Sequence, residues 1–168
     1  ALPESRFTAV RPGNMLYGAC EGVPADRCPV LRPAMTLKAP VALLKPVRRG
    51  EGVSYGCTYR PPQDTMVALV PVGYGDGYPR ALSGRAEVLI GGRRYPVVGR
   101  VCMDSVLVDV GPDATCQVGD EVVLLGPQGA ETITVGELAQ RAGTITQEIM
   151  SRMGSRLPRI YQREGEAT

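Results

Sequence analysis

Apolar residues recur in short runs through most of this chain, rather than at the three-to-four-residue spacing of a helix. From residue 35 onward the runs are rich in Val, Leu and Ile and are separated by polar or glycine-containing stretches, which favours β-strands. Gly91 and Gly92 lie between two runs as a two-residue hairpin loop would, and the turn at 118–120 leads into another. The runs are MTLKAPVALL (35–44), TMVALVPV (65–72), RAEVLI (85–90), RRYPVV (93–98), SVLVDV (105–110) and DEVVLL (120–125).

Helical patterning appears only near the end of the chain. Thr134 precedes VGELAQRAG, with Glu137 three residues further on, which is the spacing of a capping box. Thr146 precedes a second short helical segment, QEIMSRM (147–153), whereas residues 1–33 are predicted to be irregular. We therefore predict a mostly β, barrel-like domain of roughly seven to nine strands with two short helices.

The composition argues against several classes of function. The chain has 21 Gly and 15 Pro, which suits many short elements joined by turns, and its net charge of +2 gives no indication of nucleic-acid binding. It has no His, so a metal site is not expected. Neither a signal peptide nor an apolar run of about 18 residues is found, so we expect a cytoplasmic protein without membrane association. Its five cysteines are then expected to be reduced: Cys20, Cys28, Cys57, Cys102 and Cys116.

Glycines and polar side chains are concentrated in three clusters. These are GVSYGCTY (52–59), PVGYGDGYPR (71–80) and VGRVCMD (98–104). Each alone could be a glycine-rich turn between strands, but glycines at this density also indicate close approach of the backbone to another group.

Taken in order, the clusters resemble alanine racemase. VSYGCTY (53–59), GYGDGYPR (73–80) and GRVCMD (99–104) match family motifs, as do the lead-in VRPGNMLYG (10–18) and the ending GSRLPRIY (154–161). The resemblance covers roughly residues 8–161. It implies a domain 1–33 that ends a (β/α)8 barrel binding pyridoxal 5'-phosphate (PLP) and a C-terminal β-domain 34–168.

The resemblance implies that Tyr55 is a catalytic base. Racemisation removes the α-proton from one face of an amino acid and returns a proton to the other, so two bases on opposite faces suffice, with the cofactor stabilising the charge between them. In the family one base is the lysine that holds the cofactor, and the other is this tyrosine. A phenol ordinarily has a pKa of about 10, so a nearby cation or a proton relay is needed.

The remaining site residues are also implied by the resemblance. Arg11 would face the pyridine nitrogen of the cofactor, and the backbone N–H groups of Gly13 and Asn14 would hold its phosphate. Ser155 stands where many relatives have a phosphate-binding tyrosine, which would weaken that contact. The backbone amide of Met103 would meet the substrate carboxylate; the substrate corridor would be lined by Tyr74, Arg80 and Arg100.

The cofactor lysine itself is not predicted in this chain. Lys38 and Lys45 are its only lysines, and neither lies in the family's cofactor-lysine motif. We therefore expect the chain alone neither to hold PLP covalently nor to racemise alanine. The family is homodimeric, so the face carrying Tyr55, Tyr74 and Met103 is expected to contact the barrel of a partner subunit.

Two other interpretations remain open. The chain could belong to a racemase of another amino acid, such as serine, or of broad specificity, because barrel residues also decide the substrate. It could instead be a stand-alone β-barrel binding module, which would show aromatic residues interleaved with Arg along its strands. Peptidoglycan precursor synthesis is implied by the resemblance alone.

Overall fold

The computed structural model describes residues 7–20 and 26–162. Residues 1–6, 21–25 and 163–168 lie outside this description, and so do the parts of the predicted domains 1–33 and 34–168 that fall on them.

The described residues form a mostly β fold, as predicted. The strands are β1 (Leu37–Pro40), β2 (Leu43–Val47), β3 (Thr65–Val70), β4 (Glu87–Ile90), β5 (Arg93–Val98), β6 (Val106–Gly111), β7 (Glu121–Gln128) and β8 (Glu131–Ile133). Two helices follow, α1 (Val135–Ala142) and α2 (Thr146–Arg152). Residues 7–20 and 26–33 are irregular apart from a 3-10 turn at Gly13–Tyr17.

The strands form one antiparallel sheet in the order β1-β7-β4-β5-β6-β3-β2, with β8 added beside β7. Its two end strands are consecutive in the chain. The N–H of Val41 donates to the carbonyl of Asp120 before β7, and that of Ala42 donates to Leu69 on β3. One bent segment therefore joins both ends of the sheet, which curls into a small barrel.

The main core fills the inside of the curled sheet. Val106, Val108 and Val110 of β6 point inward in alternation, while Leu138 of α1 and Ile149 of α2 are completely buried against the same core. Apolar burial of this kind is the main stabilising term of the fold.

Turn chemistry agrees with the sequence predictions at two places and differs slightly at a third. Gly91 and Gly92 connect β4 and β5 with φ values of 58° and 74°, which only glycine adopts at low cost. The Thr134 hydroxyl caps α1 by accepting from the N–H of Glu137 at 3.0 Å. Thr146 is instead the first residue of α2, its N-cap being Ile145, and it is fully buried.

The prediction that all five cysteines are reduced is wrong for two of them. Cys20 and Cys28 form a disulfide, whereas Cys57, Cys102 and Cys116 are free. The expectation came from the predicted cytoplasmic location and not from the spacing of the cysteines. Among the described residues, no helix is long and apolar enough to cross a membrane.

Candidate active site

Residues 48–64 connect β2 to β3 and carry Tyr55; we call them the tyrosine loop. The loop folds over the outer face of the sheet, where Val53 packs with Val47, Val67 and Val98 in a second, smaller buried cluster. A bridge between Val53 and Tyr59, in which the N–H of Val53 donates to the Tyr59 carbonyl at 2.9 Å, closes the loop. The stretch containing Tyr55 is therefore supported from below.

Tyr59 fixes the far end of the tyrosine loop to β6. Its hydroxyl donates to one carboxylate oxygen of Asp109, and the Thr65 hydroxyl donates to the other. Burial, followed by the hydrogen bond and the charge of Asp109, raises the pKa of Tyr59 to about 12. The second tyrosine of the VSYGCTY motif thus remains a neutral donor that holds the loop in place.

Ser54 sets the direction in which Tyr55 leaves the loop. Its φ of 67° and ψ of 178° lie in a region that residues other than glycine rarely adopt. Its hydroxyl accepts from the N–H of Arg100 at 3.0 Å and donates to the Arg100 carbonyl at 3.1 Å. Gly99 allows this approach, since a Cβ there would lie 2.4 Å from the Ser54 Cβ.

Tyr55 lies at the tip of the loop in a 3-10 turn, with 74% of its surface exposed. The side chain of Arg100 passes close by, because its Nε would lie 3.8 Å from a Cβ on Gly56.

The GYGDGY turn lies directly on the GRVCMD turn. The N–H of Tyr74 donates to the Cys102 carbonyl at 2.9 Å, and that of Gly75 donates to the Met103 carbonyl at 2.8 Å. Gly73 has no space for a side chain, as a Cβ there would lie 2.3 Å from the Cys102 oxygen. Dense glycine in this motif is therefore explained by backbone-to-backbone packing.

Together the three motifs form one surface feature, which we call the three-loop cluster (residues 52–59, 73–80 and 99–104). Tyr74 is 39% exposed and Met103 is 52% exposed beside the exposed Tyr55. The Met103 carbonyl is used by Gly75, whereas no described residue accepts a hydrogen bond from the Met103 N–H. The cluster thus presents a phenol, a second aromatic side chain and a backbone donor at its surface.

The corridor arginines lie at the edges of this cluster. Arg80 and Arg100 are both exposed. The Ser83 hydroxyl donates to the Arg80 carbonyl at 2.6 Å and accepts from the N–H of Val101 at 2.9 Å. This links the backbone of Arg80 to the residue that follows Arg100.

Sequence reasoning missed one polar network in the cluster. Asp76 is buried, accepts from the N–H of Gly73 at 2.9 Å and faces Arg156 Nε at 3.3 Å. Arg156 also donates through Nη2 to Asp104. A carboxylate inside a glycine-rich turn and an arginine near the chain end were the available signals, but only the fold brings them together.

The predicted cofactor residues lie elsewhere. The Asn14 amide donates to the Thr146 hydroxyl at 2.9 Å, which places the Gly13–Tyr17 turn against the start of α2. Arg11, Gly13 and Ser155 are exposed. Asn14 lies on a cleft of about 750 Å³, whose other lining residues are Tyr17, 34–37, Gln147, Met150, Ser151, Met153 and 157–161. Ser155 does not line this cleft, and no hydrogen bond or ion pair among the described residues joins Asn14 to the three-loop cluster.

The fold and the cluster define the chain as a small β-barrel domain that presents site residues at its surface instead of enclosing a site. Residues 34–161 match the family model described as the alanine racemase C-terminal domain. The chain therefore belongs to the alanine racemase family.

Comparison with individual proteins supports the same family. The chain is 49% identical over 161 residues to an alanine racemase of Desulforamulus reducens, an alignment that covers 95% of this chain and 43% of that protein. It is 48% identical over 167 residues to an alanine racemase of Mycobacterium tuberculosis, covering 99% and 43%. The crystal structure of alanine racemase from Streptomyces coelicolor superimposes with a TM-score of 0.89 at 46% identity, covering 98% of this chain and 43% of that one. The chain thus spans less than half the length of these relatives.

Proposed function

We propose that this chain is the C-terminal part of a PLP-dependent alanine racemase, and that Tyr55 is one of the two bases that move the α-proton of alanine. The observation that carries the proposal is the exposed Tyr55 at the tip of a loop whose base is fixed by Val53, Ser54 and Tyr59. An exposed phenol held this firmly suits proton transfer to a bound molecule better than packing.

Tyr55 and its neighbours have separate tasks in this proposal. The Tyr55 oxygen takes the α-proton from one face of alanine, or delivers one to it, and the side chain of Arg100 lies near the turn that carries Tyr55. The hydrogen bonds between Ser54 and the Arg100 backbone keep the phenol in position. A base on the opposite face must come from outside this chain, as the family resemblance implies.

Substrate binding is assigned to the rest of the three-loop cluster. The N–H of Met103 would donate to the alanine carboxylate, and it has no competing acceptor among the described residues. Tyr74 would border the substrate, and the exposed Arg80 and Arg100 would attract an anionic group toward it.

The Gly13–Tyr17 turn fits the phosphate of PLP. Its first internally bonded N–H is that of Met15, which donates to the Pro12 carbonyl at 3.3 Å, so the N–H groups of Gly13 and Asn14 precede the internal bonding of the turn. Gly13 has a φ of 57°, and a Cβ there would meet no described atom within 4 Å. Two adjacent open N–H groups suit an oxyanion, and Arg11 would face the pyridine nitrogen.

When bound, PLP acidifies the α-proton of the amino acid attached to it. The lysine that would hold the cofactor is not assigned within this chain. Lys38 forms a 3.0 Å ion pair with Glu121, and Lys45 lies exposed on the end strand β2.

Two subunits are proposed to form each site. No hydrogen bond or ion pair among the described residues links the Gly13–Tyr17 turn to Tyr55, which supports a homodimer in which Tyr55 serves the barrel of the partner. Tyr55, Tyr74 and Met103 are also exposed in the described chain, so a partner surface could cover them.

A hybrid enzyme tests the proposal. It joins this chain to the barrel half of the Streptomyces coelicolor relative, at the point where the two sequences align. We expect the hybrid to racemise alanine and Tyr55→Phe to lower kcat by about 100- to 10,000-fold, the usual cost of removing an acid–base group. Tyr95→Phe, on β5 and outside the cluster, is the matched control and should retain activity.

Three results would contradict this proposal. They are a native hybrid that folds and binds PLP but is inactive, a Tyr55→Phe hybrid that retains activity, or racemisation by the purified 168-residue chain alone. Faster turnover of serine than of alanine would instead favour the other-substrate alternative.

A further inference from the structure

Arg156 joins the two turns that carry the proposed substrate contacts. Its Nε lies 3.3 Å from Asp76 in the GYGDGY turn, and its Nη2 donates to Asp104, which follows Met103. The N–H of Gly154, two residues earlier, donates to the Asp76 carbonyl at 2.8 Å. The chain after α2 is thus fixed to the cluster by backbone and side chain together.

Gly75 marks the point at which these groups converge. A Cβ on Gly75 would lie 2.4 Å from Arg156 Nη1 and 3.0 Å from the Met103 oxygen. The guanidinium therefore lies directly over the hydrogen bond by which the Gly75 N–H reaches the Met103 carbonyl.

The two carboxylates that pair with Arg156 differ in environment. The Asp76 side chain is 9% exposed, whereas that of Asp104 is 63% exposed. A nearly buried carboxylate depends strongly on its counter-charge, because an unpaired charge there lacks solvation. An exposed pair contributes little by itself, so its role here is geometric: it fixes the Met103 turn to a guanidinium already held by Asp76.

We propose that Arg156 is a positioning residue that fixes the Met103 and Tyr74 turns relative to each other, and thereby sets the site for the substrate carboxylate. This inference rests on the proposed function. Arg156 itself touches neither the proposed substrate nor Tyr55, which is held separately by Ser54 and the Arg100 backbone. Its loss should accordingly affect binding of the carboxylate more than proton transfer.

The kinetic test uses the hybrid enzyme with Arg156→Gln and Arg156→Lys. For Arg156→Gln we expect KM for alanine to rise about tenfold with kcat changed less than about threefold, because a contact equally strong in ground and transition states affects KM alone. Arg156→Lys should lie between, since one ammonium cannot reproduce two separate N–H contacts. Arg152→Gln is the matched control, as Arg152 pairs with Glu148 inside α2.

A binding measurement separates substrate positioning from turnover. Propionate has the carboxylate and methyl group of alanine but no amino group, so it cannot react. Its dissociation constant should rise in Arg156→Gln by the same factor as KM. An unchanged constant would overturn the proposal.

Hydrogen exchange followed by mass spectrometry reads the geometry directly and requires no activity. In Arg156→Gln the amides of Tyr74 and Gly75, which donate to Cys102 and Met103, should exchange at least about tenfold faster. Those of β7 should be unchanged. Equal acceleration in β7 would indicate a general loss of stability and would overturn the positioning role, as would unchanged exchange at Gly75.

Failure of this inference is distinguishable from failure of the proposed function. An active hybrid whose KM, propionate affinity and Gly75 exchange are insensitive to Arg156 would refute the positioning role alone. An inactive native hybrid would refute the proposed function, while the exchange data would still decide whether Arg156 holds the two turns.

Discussion

Tyrosine residues of this chain differ sharply in environment, and their roles follow from it. Tyr55 is 74% exposed, Tyr59 is half-buried with a carboxylate partner, and Tyr78 is completely buried. The Tyr78 hydroxyl has no hydrogen-bond partner among the described residues, and burial raises its pKa. One residue type therefore supplies an exposed phenol that we propose to be a base, a structural donor and a core side chain.

Removal of two of these hydroxyls should have opposite effects on stability. Tyr78→Phe removes a buried, unpaired polar group, so we expect the free energy of unfolding to stay constant or rise by up to about 1 kcal/mol. Tyr59→Phe removes a hydrogen bond to a carboxylate and should lower it by about 1.5–3 kcal/mol. Urea unfolding at neutral pH measures both. A marked loss in Tyr78→Phe would show that its hydroxyl is paired.

The sequence pointed to the exposed candidate site residues better than to the residues that hold their loops in place. Tyr55, Tyr74 and Met103 could be selected because their motifs resemble a family. Asp76, Arg156 and Asp109 could not, since each acts through partners at least 44 positions away, except for local contacts such as that of Asp76 with Gly73. The Cys20–Cys28 disulfide, whose cysteines are only 8 positions apart, was missed for a different reason: reduced cysteines were expected from the predicted cytoplasmic location.

At the scale of elements, the strand pattern was readable because most runs are interrupted by glycine turns. The segment 35–44 was predicted as one run, yet it contains β1 and the start of β2, separated by a bend. Neither the apolar pattern nor a glycine marks this bend, where Val41 donates to Asp120 before β7 and Ala42 donates to Leu69 on β3. β3 lacks clear alternation since both faces are covered, one by the core and one by the tyrosine loop.

Substitutions at two glycines can distinguish the cost of backbone strain from the cost of close packing. Gly91 and Gly99 both have positive φ, but a Cβ on Gly91 would meet no described atom within 4 Å, whereas one on Gly99 would collide with Ser54. We expect Gly91→Ala to cost about 1 kcal/mol in the free energy of unfolding and Gly99→Ala about 2–4 kcal/mol, since overpacking adds to the strain.

Denaturant unfolding of the two variants checks this difference. Gly99→Ala should also lower kcat of the hybrid enzyme, because Ser54 would have to move and would carry Tyr55 with it. Equal costs for the two variants would show that Ser54 is not held against Gly99.

At the scale of the whole molecule, the core of the described residues is closed by the curled sheet together with α1 and α2. The proposed site is not closed in this way. Tyr55, Tyr74 and Met103 face outward, and the proposal therefore requires a second surface. No apolar pattern of the sequence indicates that division; only the family resemblance did.

Alkaline pH should release the tyrosine loop. The pKa of Tyr59 is raised from an ordinary 10 to about 12 in the folded chain. Its neutral form therefore stabilises the fold fully below pH 10, and this contribution is lost as the pH rises through 12. Burial raises the pKa of Tyr78 in the same direction.

Urea unfolding between pH 9 and about 12 measures this dependence. The free energy of unfolding should decrease over this range in the native chain and decrease less steeply in Tyr59→Phe. Identical slopes in the two proteins would show that Tyr59 does not titrate with the fold.

Isotope exchange by the Tyr55→Phe hybrid in D2O tests the central claim most directly. With two bases on opposite faces, loss of one leaves the other able to exchange the α-proton of one enantiomer only. We predict that the variant still incorporates deuterium into either L- or D-alanine, but not both, and that racemisation is lost. Equal exchange of both enantiomers, or racemisation at the native rate, would contradict the assignment of Tyr55 as a base.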